Sequence, residues 1–282
     1  MPEKDITEKI LMNHNDVFAD IINGLVFRGE QKIKATELEN ASVHSQYKDQ
    51  NDTIHEQERD VAKFWKENNA KISLLGIENQ TCVEPHMPFR ILGYDGASYK
   101  EQLMTTRGQV YPVVTIVLYF GTKKRWTKPR NIKSYLAIPP ELEAFVNDYQ
   151  VYICEIAWLK EEEIECFQSD FKVVANFFRN KRKNRNYIPD DKTEIKYVDE
   201  VLKLLSVMTK DRRYERILSG GEGREVHSMC DVAERLEQRG KEEGRAEGRL
   251  EIILELVRDH ILTVQEAAKR LDIDEKELLE KI

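Results

Sequence analysis

Asp60, Glu78 and Gln80 are the residues of this chain whose types and spacing could do chemistry together. They flank two short apolar segments, Val61–Trp65 and Lys71–Ile77, joined through Asn68 and Asn69. Apolar, β-branched and aromatic runs on either side of an Asn-Asn turn signal a β-hairpin. A turn centred on these asparagines sets residue 60 opposite residue 77, within one position of register, and brings Asp60 beside Glu78 at the open end. Side chains alternate along a strand, so Glu78 and Gln80 share a face. Glu78 also closes the run Ser73-Leu74-Leu75-Gly76-Ile77, which is apolar enough to be a buried strand. An acid at the end of such a strand needs a partner or a cation, although acids at strand ends also serve simply to solvate a sheet. Oxygen ligands of this kind favour a hard divalent cation.

The words around these residues carry a resemblance. They are Asn15-Asp16-Val17-Phe18-Ala19-Asp20-Ile21-Ile22-Asn23, Arg59-Asp60-Val61, Ile77-Glu78-Asn79-Gln80, Met87-Pro88-Phe89-Arg90-Ile91-Leu92-Gly93-Tyr94-Asp95 and Tyr111-Pro112-Val113-Val114-Thr115. The order Asp, hairpin, Glu-x-Gln is similar to the Asp…(Glu/Asp)-x-Lys signature of PD-(D/E)XK nucleases. The whole set resembles the Rpn-type recombination-promoting nucleases, a transposase-like bacterial family, over roughly residues 13–180. The resemblance implies an α/β fold, a restriction-endonuclease-like αβββαβ core with helices on the sheet faces. It implies a metal-dependent endonuclease that hydrolyses DNA phosphodiester bonds, linked to recombination or mobile elements.

Site roles follow from that resemblance. Asp60 and Glu78 would hold Mg2+, or Mn2+, with the backbone carbonyl of Asn79 as a third ligand, and Gln80 would orient the attacking water or a phosphate oxygen. The first helix can bring an extra acid, which makes Asp16 and Asp20 accessory candidates beside a plain polar helix face. Arg90, with Tyr94 one turn on, would face a phosphate or form a surface salt bridge. Gln80 departs from the pattern, because the wider superfamily has Lys there. An amide hydrogen-bonds but carries no charge. Charge must then come from the metal, from Lys71 or from Arg90, or else the enzyme is slow. The rival reading is a nuclease-like nucleic-acid-binding or protein-binding module with weak or no catalysis.

Composition bounds these readings. The chain has 282 residues, 40% hydrophobic and 34% charged, which suits one ordinary domain with an appendage. The net charge of −7 speaks against a polyanion binder on average, but its distribution does not. Residues 61–210 hold 23 basic and 19 acidic residues, and between Gln102 and Pro140 there are seven Lys/Arg and no acid. Within that stretch Lys123, Lys124, Arg125, Trp126, Lys128 and Arg130 set an indole among five cations, a pattern suited to nucleic-acid phosphates. A second run, Arg179 to Arg185, suits a helix C-terminus. The four cysteines form no CxxC pair, so neither a zinc site nor a disulfide framework is expected. The opening residues lack a signal-peptide pattern, and the longest apolar run, Tyr111–Phe120, is about half of what spans a bilayer. A cytoplasmic protein without membrane contact is expected.

Several elements must position the site. Val17, Phe18, Ile21, Ile22, Leu25 and Val26 predict an amphipathic helix over 14–27, while residues 28–55 read as a loop with a helical turn near Thr36–Asn40. A helix is expected over Pro85–Thr106, with Leu92, Gly96, Tyr99 and Leu103 packing on the sheet. Strands are expected at Val110–Gly121 and Val151–Trp158, and helices at Glu141–Tyr149, 161–183 and 194–210.

The domain expectation is a nuclease-like domain over 1–218, a linker over 219–225 and a helical C-terminal tail over 226–282. In the tail, Gly240, Gly244 and Gly248 recur every four residues, at a cost of about 1 kcal/mol each in a helix. Close helix approach in a homo-oligomer or a charged hinge would each account for them. Thr263-Val-Gln-Glu266 is a capping box in a stretch that looks like part of a helix-turn-helix, the alternative to an oligomerisation tail, but the acidic final helix suits protein packing better than a DNA groove.

Overall fold

The computed structural model describes residues 10–42, 44–48, 54–68, 70–105, 110–219 and 226–280, with the backbone alone at 44–48, 54–58, 105, 218 and 219. The chain forms two compact units, 1–229 and 230–282.

The first unit is a mixed α/β structure. Its strands are β1 (Leu38–Asn40), β2 (His44–Lys48), β3 (Ile54–Glu58), β4 (Val61–Glu67), β5 (Ala70–Gln80), β6 (Val113–Tyr119) and β7 (Tyr152–Glu155). Five of them make one open sheet in the order β1-β4-β5-β6-β7, while β2 and β3 form a separate antiparallel ladder. In the large sheet β1 and β4, and β4 and β5, run antiparallel, while β5–β6 and β6–β7 are parallel.

The hairpin forms as its residues dictate. Asn68 takes a left-handed φ of 49°, which Asn tolerates better than most side chains; Asn69 lies outside the described residues. Val61 pairs with Ile77 and Phe64 with Leu74, and a bulge falls between Trp65 and Lys66. Strand β5, flanked on both edges, is buried from Ser73 to Asn79, as a central strand should be.

Helix α1 (Asn15–Leu25) buries Val17, Phe18, Ile21 and Ile22. Helix α2 (Met87–Thr105) is the crossover that a parallel β5–β6 pair requires. Helices α3 (Glu161–Glu165), α4 (Phe171–Lys183), α5 (Val198–Thr209) and α6 (Arg213–Ser219) complete the unit. Helix α2 lies over the face that carries Thr115, Val117 and Tyr119. Helices α1 and α4 lie over the other face, where Phe18 meets Lys63 and Phe178 meets Phe120.

Four expectations are corrected. Residues 28–55 are not simply a loop, because β1 and β2 fall within them and β3 begins at Ile54; these polar, short strands carry no hydrophobic signal. Glu141–Tyr149 is not an α-helix but a 3-10 turn, Pro140–Leu142, followed by turns. The span 161–183 is broken into α3 and α4 around residues 166–170. Leu92, Gly96, Tyr99 and Leu103 face outward, Leu103 being 63% exposed, while Asp95, Ser98 and Gln102 are buried. Polar partners inside the sheet layer, taken up below, turn α2 this way round.

In the second unit the tail's first helix, α7 (Met229–Arg258), runs unbroken through Gly240, Gly244 and Gly248. Helices α8 (Val264–Leu271) and α9 (Glu275–Leu279) follow. The capping box forms as expected: Glu266 N donates to Thr263 Oγ1 at 3.2 Å and Thr263 N to Glu266 Oε2 at 3.0 Å. Ile253 and Val257 pack with Ala267, Ala268 and Leu278. The expected linker, apart from Ser219, lies outside the described residues. Among the described residues no helix is long and apolar enough to cross a membrane.

Candidate active site

The register of the hairpin brings the two acids together. With Val61 on Ile77, Asp60 stands at the mouth of the hairpin next to Glu78. The Asn79 amide donates to Asp60 Oδ2 at 2.6 Å, so the backbone of β5 fixes this carboxylate. Glu78 and Gln80 share the face covered by α2, whereas Asn79 is tied to the pair through its backbone amide. Gln80, the last residue of β5, is half-buried.

Glu78 is the electrostatic centre of the site. It is 0% exposed, and among the described residues neither carboxylate oxygen has a hydrogen-bond partner of ordinary geometry. Its nearest counter-charge is Arg90, with Nη2 3.2 Å from Oε2. Burial, reinforced by the charge of Asp60, pushes the Glu78 carboxyl up to about 8, against the pull of Arg90 and Arg59. Burial alone would lower the Arg90 guanidinium, but Glu78 and Tyr94 outweigh it and the net shift is upward. Arg90 Nε donates to the Tyr94 hydroxyl at 2.7 Å. Burial and the neighbouring Glu78 push the Tyr94 phenol up to about 12, so it stays a neutral hydroxyl there.

Beside this pair lies a buried network that spacing alone does not reveal. Arg59, the residue before Asp60, is 2% exposed and crosses the sheet above Gly76. A Cβ at Gly76 would stand 3.1 Å from Arg59 Cδ and 3.0 Å from Thr115 Oγ1, so the glycine makes room for the guanidinium. Arg59 donates to Asp95 Oδ1 and to Ser98 Oγ, each at 2.7 Å. Thr115 Oγ1 donates to Asp95 Oδ1 at 2.6 Å, and the Tyr149 hydroxyl donates to Asp95 Oδ2. Asp95 thus ties the start of β4, helix α2, strand β6 and the segment before β7. The Arg59-Asp60 and Tyr94-Asp95 words are the signal in the sequence: in each, one residue faces the site and its neighbour holds the frame.

The remaining candidates lie elsewhere in the fold. Asp20 is 5% exposed and accepts from Gln168 N, Ser169 N and Ser169 Oγ, between 2.6 and 3.0 Å, at the entry to α4. Asp16 bonds Lys196 Nζ at 2.7 Å and the Tyr197 hydroxyl at 3.1 Å; these bonds outweigh its partial burial and lower its carboxyl. Both acids are thus engaged with residues 168–169 and 196–197. Lys71 lies over the Phe64 ring, 3.5 Å from its centroid.

Lys123, Lys124, Arg125 and Lys128 are exposed on the loop after β6. Trp126 corrects an expectation: it is 7% exposed and packs edge-on against Tyr119, so its ring fills the core under α2 and cannot stack on a base. Glu155 pins this loop, accepting from Trp126 N at 2.8 Å and from Arg130 Nη2 at 3.0 Å.

The donor set fits a divalent ion of the Mg2+ class. Asp60, just before β4, stands beside Glu78 of β5, and among the described residues the buried Glu78 carboxylate has Arg90 at 3.2 Å but no hydrogen bond of ordinary geometry. Among the described residues no group of three or more His, Cys, Asp and Glu side chains forms around them. Mg2+ commonly takes one or two carboxylates and completes its shell with water and substrate phosphate.

No curated protein and no solved structure matches the chain. A family described as "Putative transposase, YhgA-like" matches residues 60–211, more than half of the chain. The matched span opens on Asp60 and takes in Glu78, Gln80, Arg90, Asp95 and the basic loop. The chain therefore belongs to the YhgA-like transposase family.

Proposed function

We propose that the chain is a Mg2+- or Mn2+-dependent endonuclease that hydrolyses DNA phosphodiester bonds at Asp60, Glu78 and Gln80. One observation carries the reading: a fully buried glutamate, whose carboxylate oxygens have no hydrogen bond of ordinary geometry among the described residues, stands beside a second carboxylate at the mouth of a hairpin. Membership in a transposase-like family supports it, tying the chain to mobile elements and to chemistry on nucleic acid. The sheet β4-β5-β6-β7, with α1 on one face and the α2 crossover on the other, suits a PD-(D/E)XK core. In this reading residues 1–218 are the nuclease domain, 219–225 a linker and 226–282 a helical tail that joins two copies.

Asp60 and Glu78 would hold the cation, with the Asn79 carbonyl as a third ligand. A divalent ion held there would supply charge neutralisation at the phosphate and would lower the pKa of an attacking water. Asn79 N keeps Asp60 turned toward Glu78. Gln80 orients water or a phosphate oxygen through its amide. Arg90, held by Tyr94, gives the site the positive charge that Gln80 lacks.

A second reading has its own support. Arg90 already pairs with Glu78, and Gln80 carries no charge, which also suits a nuclease-like module that binds nucleic acid or protein with little or no catalysis. Titration of Mg2+ or Mn2+ into the protein with supercoiled plasmid separates the two. Metal-dependent nicked circles are expected. Retarded but intact plasmid at every metal concentration favours the binding module.

A further inference from the structure

The two basic runs, Lys123–Arg130 and Arg179–Arg185, are about fifty residues apart in sequence yet meet on one side chain. Arg125 and Arg182 both approach the ring of Trp158, with Cζ 5.8 and 5.3 Å from its centroid. Trp158 is half-buried, and Arg182 Nε also donates to Ala157 O at 2.7 Å, which anchors the end of α4 just past β7. A guanidinium over an indole is held by the ring's quadrupole, so one side chain can gather two like charges.

Both runs also lie at the same edge of the sheet as the acid pair. The register aligns Gln80 with Tyr119 and Tyr119 with Glu155, one row across β5, β6 and β7. Tyr119 donates to Lys124 O at 2.9 Å and Glu155 holds Trp126 N and Arg130, so the basic loop is clamped onto that row. Two strand spacings, roughly 10 Å, separate Gln80 from Glu155. That is the rise of about three nucleotides in a stacked strand. Lys123, Lys124, Lys128, Lys183 and Arg185 are exposed around it.

We propose that the two runs form one phosphate-binding track, gathered on Trp158, that holds a nucleic-acid strand beyond the Asp60/Glu78 site. The track deepens the nuclease reading and rests on it for the placement of the cut, but strand binding is measurable without catalysis. The occupant is a phosphodiester strand, argued from charge complementarity: five exposed cations at an edge where Glu155 is already engaged by Arg130 and Trp126 N, and Glu161 by Arg179.

The experiment is fluorescence anisotropy of labelled single-stranded oligonucleotides with the full chain in EDTA, in a DNA arm and an RNA arm, across a salt series. Three variants are compared: Lys123→Gln/Lys124→Gln/Lys128→Gln, Lys183→Gln/Arg185→Gln, and the combination. A charge-matched control is Lys32→Gln/Lys34→Gln, exposed on the loop after α1. Both track variants are expected to raise Kd by about fourfold per lost contact at 0.15 M salt and to flatten the salt slope, with the combination additive. The control should leave the slope as it was. Unchanged binding in the Lys183/Arg185 variant, or an equal loss in the control, would overturn the single track. Failure of the nuclease reading looks different: binding and its loss in the variants persist, yet added metal cuts nothing. The arm with the lower Kd identifies the strand as DNA or RNA.

Discussion

Glu78 Oε2 lies 3.2 Å from Arg90 Nη2, a fully buried carboxylate against a guanidinium that is 39% exposed. One residue of the pair is committed to the interior and the other reaches solvent. The carboxylate alone is raised to about 8 by burial and by Asp60, so its charge state depends on pH within the neutral range.

That shift has a consequence for stability without metal. Between the ordinary 4.5 and about 8, the folded protein keeps a proton on Glu78 that the unfolded chain has released. Stability therefore falls as pH rises through this window and levels off above it, by an amount on the order of a few kcal/mol. Glu78→Gln keeps the shape and cannot ionise, so it should lose this part of the slope and exceed the natural protein in stability at pH 8. Urea unfolding in EDTA at pH 5, 6.5 and 8 checks it. Equal slopes for the two proteins would mean that Glu78 is already ionised in the fold.

How much of this was legible in the sequence depended on the range of the interaction. The hairpin and its register follow from Val61–Trp65, Asn68 and the run before Glu78, all local signals, as does the Thr263–Glu266 capping box. Periodicity predicts helix α2 but not its buried face. Periodicity counts Leu92, Tyr99 and Leu103 as apolar, yet Asp95 and Ser98 are the residues that reach Arg59, 36 and 39 positions away. Asp20 and Asn23 likewise look like a solvated face but are buried, Asn23 bonding the backbone of Ile33 and Asp20 that of residues 168 and 169. Trp126 departs from expectation for the same reason. Only the packing of β6, β7 and α4 decides which indole enters the core and which meets the arginines.

The Arg59–Asp95 pair should be expensive to break. Arg59→Met leaves a buried Asp95 without its cation and is expected to cost about 3–5 kcal/mol. Gly76→Ala crowds Thr115 Oγ1 and Arg59 Cδ at 3.0 and 3.1 Å and should cost about 1–3 kcal/mol. Chemical denaturation of both variants is the check. A Gly76→Ala protein as stable as the parent would show that Arg59 has room to move.

Gln80→Lys puts a charge beside Glu78 at the open end of β5. Metal-dependent plasmid cleavage should persist or rise, because the half-buried position faces the site rather than the core. Complete loss of cleavage in a folded Gln80→Lys protein would assign Gln80 to packing or recognition.

The tail's three glycines carry a helical cost. Helix α7 passes through Gly240, Gly244 and Gly248, at about 1 kcal/mol each, and a Cβ at any of them would meet no atom within 4 Å. Approach of a second copy along this face would account for the spacing. Light scattering of the full chain should give a dimer, and the triple variant Gly240→Leu/Gly244→Leu/Gly248→Leu a monomer. An unchanged mass would remove these glycines from the interface.

The most direct measurement is Mn2+-dependent cleavage of supercoiled plasmid by the full chain and by Asp60→Ala, with circular dichroism of both. Asp60 accepts from Asn79 N at the hairpin mouth and is half-exposed, outside the apolar core, so Asp60→Ala should leave the fold in place. The expected result is nicked and linear plasmid with the full chain, and supercoiled plasmid with an Asp60→Ala protein of the same spectrum. Full cleavage by a clean Asp60→Ala preparation would contradict the assignment of Asp60 and Glu78 as the cutting pair.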